Sequence, residues 1–183
     1  METERLILRQ WRQNDYAVYA QLNADPLVMQ YFPATLTKQE SDEQAERIKS
    51  LIEERGWGFW AVELKSTGQF IGFVGLHSQD ENSGIPNAPL VEIGWRIAAQ
   101  YWGLGYAPEV AYRALTFAFE TLSVPEIYAF TALQNAPSQW VMSKIGMVNT
   151  KQDFNHPKLS AGHVLARHCL YKITQQQWLE KRP

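Results

Sequence analysis

The chain has 183 residues, of which 45% are hydrophobic and 20% charged, and its formal net charge is −2. These values fit a single domain over residues 1–183 with a sizeable core. The negative balance argues against a nucleic-acid partner, because nucleic-acid-binding domains normally carry a basic stripe. A single cysteine, Cys169, excludes an intramolecular disulfide.

The N-terminal segment 1–5 is charged and precedes a short apolar run, which does not fit a signal peptide. No apolar stretch approaches the roughly 18 residues that are needed to cross a bilayer. We therefore expect a cytoplasmic protein without a membrane partner. No feature of the sequence indicates an oligomeric state.

Periodicity, capping residues and turn signals predict strands and helices along the whole chain. Asn14 or Asp15 is expected to cap the first helix. Thr37 and Glu40 form a capping box for the second helix, which should end near Gly56. The predicted strands are residues 6–8, 59–64, 70–76, 91–97, 127–133 and 170–173. The predicted helices are residues 15–24, 38–55, 108–122 and 136–145, with a last helical turn at 175–179.

The strand at 59–64 is apolar on both faces, which is typical of a central strand covered by helices above and below. The strand at 91–97 alternates apolar residues with Glu92, Gly94 and Arg96. From this order of elements we predict an α/β (α+β) fold, in which helices cover both faces of a mixed sheet.

The loop Gln100-Tyr101-Trp102-Gly103-Leu104-Gly105 lies between a predicted strand and a predicted helix. A helix N-terminus exposes unpaired N–H groups and a partial positive charge. Gly103 and Gly105 permit positive φ and leave room for a phosphate near the backbone. The pattern therefore predicts a diphosphate site, although a plain strand-to-helix turn would need the same two glycines.

Two other phosphate-binding loops fit this segment poorly. A Walker loop ends in Gly-Lys-Ser/Thr, whereas Gly105 is followed by Tyr106, Ala107 and Pro108. A dinucleotide-binding loop needs a third glycine at the position that Pro108 occupies. A nucleotide-binding protein of another class is thus a minor alternative.

Gln100-x-x-Gly103-x-Gly105-Tyr106-Ala107 resembles the acetyl-CoA loop of the GNAT superfamily of N-acetyltransferases. The match extends in order over about residues 2–150, and its opening looks like the ribosomal-protein N-terminal acetyltransferases (RimJ/RimL-like). The other matching segments are Glu2-Thr3-Glu4-Arg5-Leu6-Ile7-Leu8-Arg9, Thr67-Gly68-x-Phe70-Ile71-Gly72, Glu92-Ile93-Gly94-Trp95, Asn135-x-x-Ser138 and Lys144-Ile145-Gly146-Met147. The resemblance implies one GNAT-type domain with a mixed, mostly antiparallel sheet of about six to seven strands.

The resemblance also implies a cofactor site for acetyl-CoA and no metal. Main-chain groups of the strand would pair with the pantetheine arm, and amides of the loop would bind the pyrophosphate. Asn135 would contact the pantetheine side, although it also fits a helix N-cap. The implied cofactor-binding residues are Ile93, Trp95, Ile97, Gln100, Trp102, Gly103, Leu104, Gly105, Tyr106, Asn135 and Ser138.

Direct transfer to an amine needs a group that accepts the ammonium proton, and Glu92 is the candidate base. A salt bridge to a basic residue is the alternative role for Glu92. Many family members place a tyrosine acid where this chain has Met142, which cannot donate a proton. Ser138 is the candidate that replaces it, as an acid or as a group that binds the sulfur. A polar residue without a catalytic role in the first turn of the helix would give the same sequence pattern, and this is the alternative interpretation of Ser138.

These features predict an N-acetyltransferase that moves an acetyl group from acetyl-CoA to a primary amine, on a protein N-terminus or on a small molecule. A non-catalytic acyl-CoA-binding module is the alternative, and it is supported by Met142 at the position where many family members have a tyrosine acid. His156, His163 and His168 lack the spacing of a metal site. Together with the segments at 31–35 and 80–89, they are expected to lie on the acceptor side.

Overall fold

A computed structural model of the protein describes residues 1–180. Within this range the strands are β1 (Leu6–Arg9), β2 (Phe59–Leu64), β3 (Phe70–Gln79), β4 (Leu90–Ile97), β5 (Glu126–Ala132), β6 (Val148–Asn149), β7 (Phe154–Asn155) and β8 (Arg167–Thr174). The helices are α1 (Asp15–Ala24), α2 (Lys38–Arg55), α3 (Tyr106–Glu120), α4 (Ala136–Lys144) and α5 (Gln175–Glu180), with a 3-10 turn at Ala99–Tyr101. No helix in this range is both long enough and apolar enough to span a membrane.

The strands form one mixed sheet in the order β1-β2-β3-β4-β5-β8-β6, and β7 pairs with β8. β4 and β5 are parallel through the pair Glu92 and Tyr128, whereas β1, β2 and β3 pair antiparallel, as do β5, β6 and β7 with β8. The predicted fold class is confirmed. The two additional strands, β6 and β7, have two residues each, too few to show the alternation from which a strand is predicted.

Backbone contacts divide the chain into two compact units. The first consists of Met1–Leu76 and Gly94–Ala114, and the second of His77–Ile93 and the described chain from Leu115 onward.

In the first unit, the predicted capping box of α2 is confirmed. The Thr37 hydroxyl accepts a hydrogen bond from the Glu40 N–H, and the Glu40 carboxylate accepts one from the Thr37 N–H. Gly56 ends the helix with a φ of 80°. The predicted cap of α1, Asn14 or Asp15, is wrong. Asn14 lies at the N-cap position but its side chain makes no capping bond, and Asp15 is the first residue of the helix, where its carboxylate accepts a hydrogen bond from the Arg9 guanidinium at 2.7 Å.

In the second unit, β5 and β8 pair along seven residues, from Glu126 opposite Thr174 to Ala132 opposite His168. A buried apolar cluster lies against this pair, and Phe130 packs on it. The cluster consists of Ile85, Leu90, Tyr128, Phe154 and Leu170. A regular strand pair with one packed face is a rigid base for the polar groups at its end.

Candidate active site

The loop before α3 lies in the first unit and has the backbone conformation that its glycines predict. Gly103 has a φ of 75° and Gly105 a φ of 80°, a region that side-chain-bearing residues rarely adopt. Within residues 1–180, the N–H groups of Gly103, Leu104 and Gly105 donate no hydrogen bond. Three free donors immediately before a helix start are the physical requirement for binding a diphosphate.

Arg5 holds this loop in place, a role that the sequence did not reveal. Its Nη1 donates to the Leu104 carbonyl at 2.9 Å, and its Nη2 pairs with the Glu109 carboxylate at 2.6 Å. The guanidinium also lies over the Tyr106 ring, 4.5 Å from its centroid. Because Arg5 and Glu109 are 104 positions apart, no local pattern joins them. Their contact fixes a loop carbonyl and leaves the loop N–H groups free.

Trp102 and Ile97 form a second contact that shapes the loop. The Trp102 Nε1 donates to the Ile97 carbonyl at 2.7 Å, so this carbonyl already has a partner. Ile97 can therefore pair with a cofactor, as predicted, through its N–H or through the second lone pair of its carbonyl oxygen. Trp102 and Leu104 are exposed, at 41% and 51% of their surfaces.

Glu92 lies on β4 in the part that belongs to the second unit. Its carboxylate accepts one hydrogen bond, from the Gln79 Nε2 at 3.2 Å, and makes no salt bridge within residues 1–180. Burial raises the pKa of Glu92 to about 7, against smaller lowering effects of Gln79 and of the Lys158 charge. The alternative role for Glu92, a salt bridge with a basic residue, is therefore not found. A carboxyl group with this pKa can exchange a proton near neutral pH.

Asn135 and Ser138 form one hydrogen-bonded group at the start of α4. The Asn135 Oδ1 accepts from the Ser138 N–H at 3.2 Å, which is the predicted N-cap. The Asn135 Nδ2 donates to the Thr131 hydroxyl at 2.8 Å and to the Ser138 hydroxyl at 3.1 Å. The Ser138 hydroxyl is thus an acceptor from Asn135, and its own proton is free to point to a further acceptor. Met142 is buried in α4, with 2% of its surface exposed.

Two of the three histidines after residue 150, His156 and His168, lie side by side in the second unit. The rings of His156 and His168 are 4.9 Å apart, and the ring of Phe130 lies within 6.4 Å of both. Burial lowers the pKa of His156 to about 4, and burial lowers the pKa of His168 as well, so both rings are neutral near pH 7. His163 instead accepts a hydrogen bond from the Leu165 N–H in the following loop. Within residues 1–180, no group of three or more potential ligand side chains is placed to hold a metal ion.

The predicted site residues fall into two groups, one in each unit. Trp95, Ile97 and the segment from Gln100 to Tyr106 belong to the first unit. Glu92, Ile93 and the pair at 135 and 138 belong to the second. The residues that the sequence did not predict are Arg5, Gln79 and Thr131, which each act on a predicted residue through a hydrogen bond.

Comparison with known proteins identifies the family of the chain. The acetyltransferase (GNAT) domain family matches residues 5–148. The uncharacterized protein YkkB of Bacillus subtilis (strain 168) is 33% identical over 152 residues, which cover 81% of this chain and 85% of YkkB. The chain therefore belongs to the GNAT acetyltransferase family, and it is an acetyl-CoA-dependent N-acetyltransferase.

Solved structures share the fold. A GNAT-family acetyltransferase from Bacillus anthracis superimposes with a TM-score of 0.79 at 24% identity, covering 96% of this chain and 98% of the other. Spermidine N-acetyltransferase from Vibrio cholerae, in complex with CoA and spermine, gives a TM-score of 0.74 at 23% identity, covering 95% and 98%. At these identities the likeness concerns the fold, and the acceptor of this chain has to be argued from its own residues.

Proposed function

We propose that this protein transfers the acetyl group of acetyl-CoA directly to a primary amine, with Glu92 as the general base. The observation that carries the proposal is the state of Glu92, a partly buried carboxyl without an ion-pair partner among the described residues and with a pKa of about 7. An alkylammonium near its ordinary pKa of about 10 must lose a proton before it can attack. A base that titrates near neutral pH can accept that proton and release it again.

The proposed step forms one bond and breaks another. The amine nitrogen attacks the thioester carbonyl carbon, the C–N bond forms, and the C–S bond breaks to release CoA as a thiolate. One ammonium proton passes to Glu92 before the attack, directly or through water, and the second N–H proton is lost to water or to the departing thiolate as the tetrahedral intermediate collapses. A backbone N–H of β4 near Ile93 stabilises the oxyanion, and preorganised donors of this kind are typically worth ~2.7–4 kcal/mol.

The cofactor is assigned to the loop and to the start of α4. The free N–H groups from Gly103 to Gly105 support pyrophosphate binding, since they need no lysine to hold an anion. The Ser138 hydroxyl is assigned to the leaving sulfur, and the hydrogen bond that it accepts from Asn135 supports this orientation. Met142 cannot act as the acid, so the thiolate leaves with no more than a hydrogen bond from Ser138.

The acceptor class is a protein α-amine or a small-molecule amine, and a place in the RimJ/RimL-like subgroup is part of the proposal. The opening segment from Glu2 to Arg9 is its support. The structural neighbour from Vibrio cholerae binds spermine, which shows that the same fold accepts small polyamines. The proposed compartment, the cytoplasm, rests on composition alone.

The test measures thiol release and product mass with acetyl-CoA and a panel of N-terminal peptides, amino acids, amino sugars and polyamines. We expect turnover with at least one acceptor class, and a loss of at least tenfold in kcat/KM for Glu92→Gln at pH 8. Calorimetry with acetyl-CoA supplies the control, since Glu92→Gln should bind the cofactor as the wild type does. Absence of turnover with every acceptor would contradict the proposal, and intact acetyl-CoA binding would then point to a non-catalytic module.

A further inference from the structure

Arg96 lies on β4 in the first unit and is buried, with 9% of its surface exposed. Its guanidinium lies between two aromatic rings, 4.3 Å from the centroid of Phe32 and 5.5 Å from that of Phe73. Stacking of this kind stabilises a guanidinium and fixes the plane in which its N–H groups point. The orientation of Arg96 is therefore set before any ligand binds.

The hydrogen bonds of Arg96 all come from one nitrogen. Its Nη1 donates to the Asn23 Oδ1 at 2.6 Å, to the Gln44 Oε1 at 3.3 Å and to the Tyr19 hydroxyl at 3.4 Å. Its Nε is fully enclosed and has no partner within residues 1–180. Its Nη2 has no partner in that range either, and it is not enclosed as the Nε is. Three of the five N–H donors of the guanidinium are thus unused.

No carboxylate of the described residues compensates the charge of Arg96. None of the salt bridges there involves it, and its three acceptors are neutral. Burial lowers the pKa of Arg96, in keeping with a charge that lacks a counter-ion, although a guanidinium stays protonated in proteins. A buried charge without a partner is costly, and proteins that keep one usually pair it with an anion.

We propose that Arg96 binds an anionic group, a carboxylate, on the amine acceptor, and thereby selects acceptors that carry a carboxylate near the amine. The Nη2 that the fold leaves unpaired and accessible carries two N–H donors, and a hydrogen bond from a guanidinium to a carboxylate is charge-assisted. The proposal rests on the proposed function, because it names the acceptor class of that reaction. It disfavours polyamines, whose cationic groups a buried guanidinium repels.

Phe32 lies next to Arg96 and belongs to the segment 31–35, which we expect on the acceptor side, and 38% of its surface is exposed. Its ring lies over the guanidinium, so the exposed part of Phe32 and the accessible Nη2 of Arg96 are close neighbours. The loop N–H groups at 103–105, not Arg96, are the proposed partners of the cofactor phosphates.

The test uses pairs of acceptors that differ in one group: an amino acid or short peptide acid and its C-terminal carboxamide. For the wild-type protein we expect kcat/KM to favour the carboxylate member about tenfold to a hundredfold, as charge-assisted hydrogen bonds typically do. The preference should lie in KM rather than in kcat. In Arg96→Gln it should disappear, and in Arg96→Lys, which keeps the charge but not the planar guanidinium stacked between the two rings, it should be partial.

The ratio within a pair is measured on the same protein sample, so partial unfolding of a variant does not affect it. Equal rates for both members with the wild-type protein would overturn the assignment of Arg96 and leave the acetyltransferase proposal intact. A loss of acetyl-CoA affinity in Arg96→Gln, measured by calorimetry, would also overturn it, since Arg96 would then serve the cofactor. Absence of turnover with both members of every pair, and with polyamines, would overturn both proposals.

Discussion

Replacing Glu92 by Gln gives the sharpest test of the base assignment, because the structure predicts where its pH dependence lies. With a pKa of about 7, the ionised fraction of Glu92 rises about tenfold between pH 6 and pH 8. For a carboxyl near the ordinary value of about 4.5, the same change of pH would alter the ionised fraction by a few per cent. The size of the burial effect therefore decides whether the rate depends on this group near neutral pH.

The assay is kcat/KM against pH for the wild-type protein and for Glu92→Gln, with one acceptor at saturating acetyl-CoA. Deprotonation of the acceptor amine raises both profiles, so the ratio of the two variants isolates Glu92. We expect this ratio to rise about tenfold between pH 6 and pH 8 and to level off above that. Gln79→Met removes the hydrogen bond that lowers this pKa, so it should move the inflection to higher pH. A ratio that does not vary with pH would refute the reasoning.

Stability gives a second readout that does not depend on turnover. Because the pKa of Glu92 is raised in the folded state, that state binds a proton that the unfolded chain lacks between about pH 4.5 and 7. The contribution of Glu92 to stability therefore falls as the pH rises through this window. The Tm of Glu92→Gln minus the Tm of the wild type should therefore be larger at pH 8 than at pH 4. An equal Tm difference at both values would show that Glu92 titrates normally.

Three further predictions concern the cofactor groups. Gly103→Ala should weaken acetyl-CoA binding about fivefold or more in calorimetry, since alanine at positive φ costs ~1–2 kcal/mol. Gly103→Asn should weaken binding less, because asparagine adopts positive φ more readily than alanine. Equal effects of the two variants would refute the role of the Gly103 backbone conformation. Arg5→Met should weaken acetyl-CoA binding about twofold to fivefold. Glu109→Gln should weaken it less, because Arg5 also donates to the Leu104 carbonyl. Unchanged affinity in both variants would refute the role of Arg5 in holding the loop. Asn135→Ala should destabilise the fold by about 1 kcal/mol in denaturant unfolding. Ser138→Ala keeps the backbone N–H that donates to the Asn135 Oδ1 and loses one of the two acceptors of the Asn135 Nδ2, so it should lower kcat and destabilise the fold less than Asn135→Ala does; an equal stability loss would contradict this.

Features that depend on a few neighbouring residues could be predicted from the sequence. The capping box of Thr37 and Glu40, the left-handed Gly56 and the two positive-φ glycines of the loop all appear as predicted. Each depends on the backbone preferences of one residue or on a hydrogen bond across three positions. The first helix shows the limit of this reasoning, since the expected cap at Asn14 is absent and the neighbouring Asp15 binds Arg9 instead.

Features that depend on residues far apart in the chain could be seen only in the fold. The contact of Arg5 with Glu109 joins the chain start to α3, and no periodicity predicts it. The sequence identified Glu92 as a candidate, but its pKa depends on burial and on Gln79 of another strand. Arg96 has a regular place in the alternation of β4, and only the fold shows that it is buried with no carboxylate partner among residues 1–180. Burial and charge compensation are sums over the whole folded chain, so they cannot be read from any local segment.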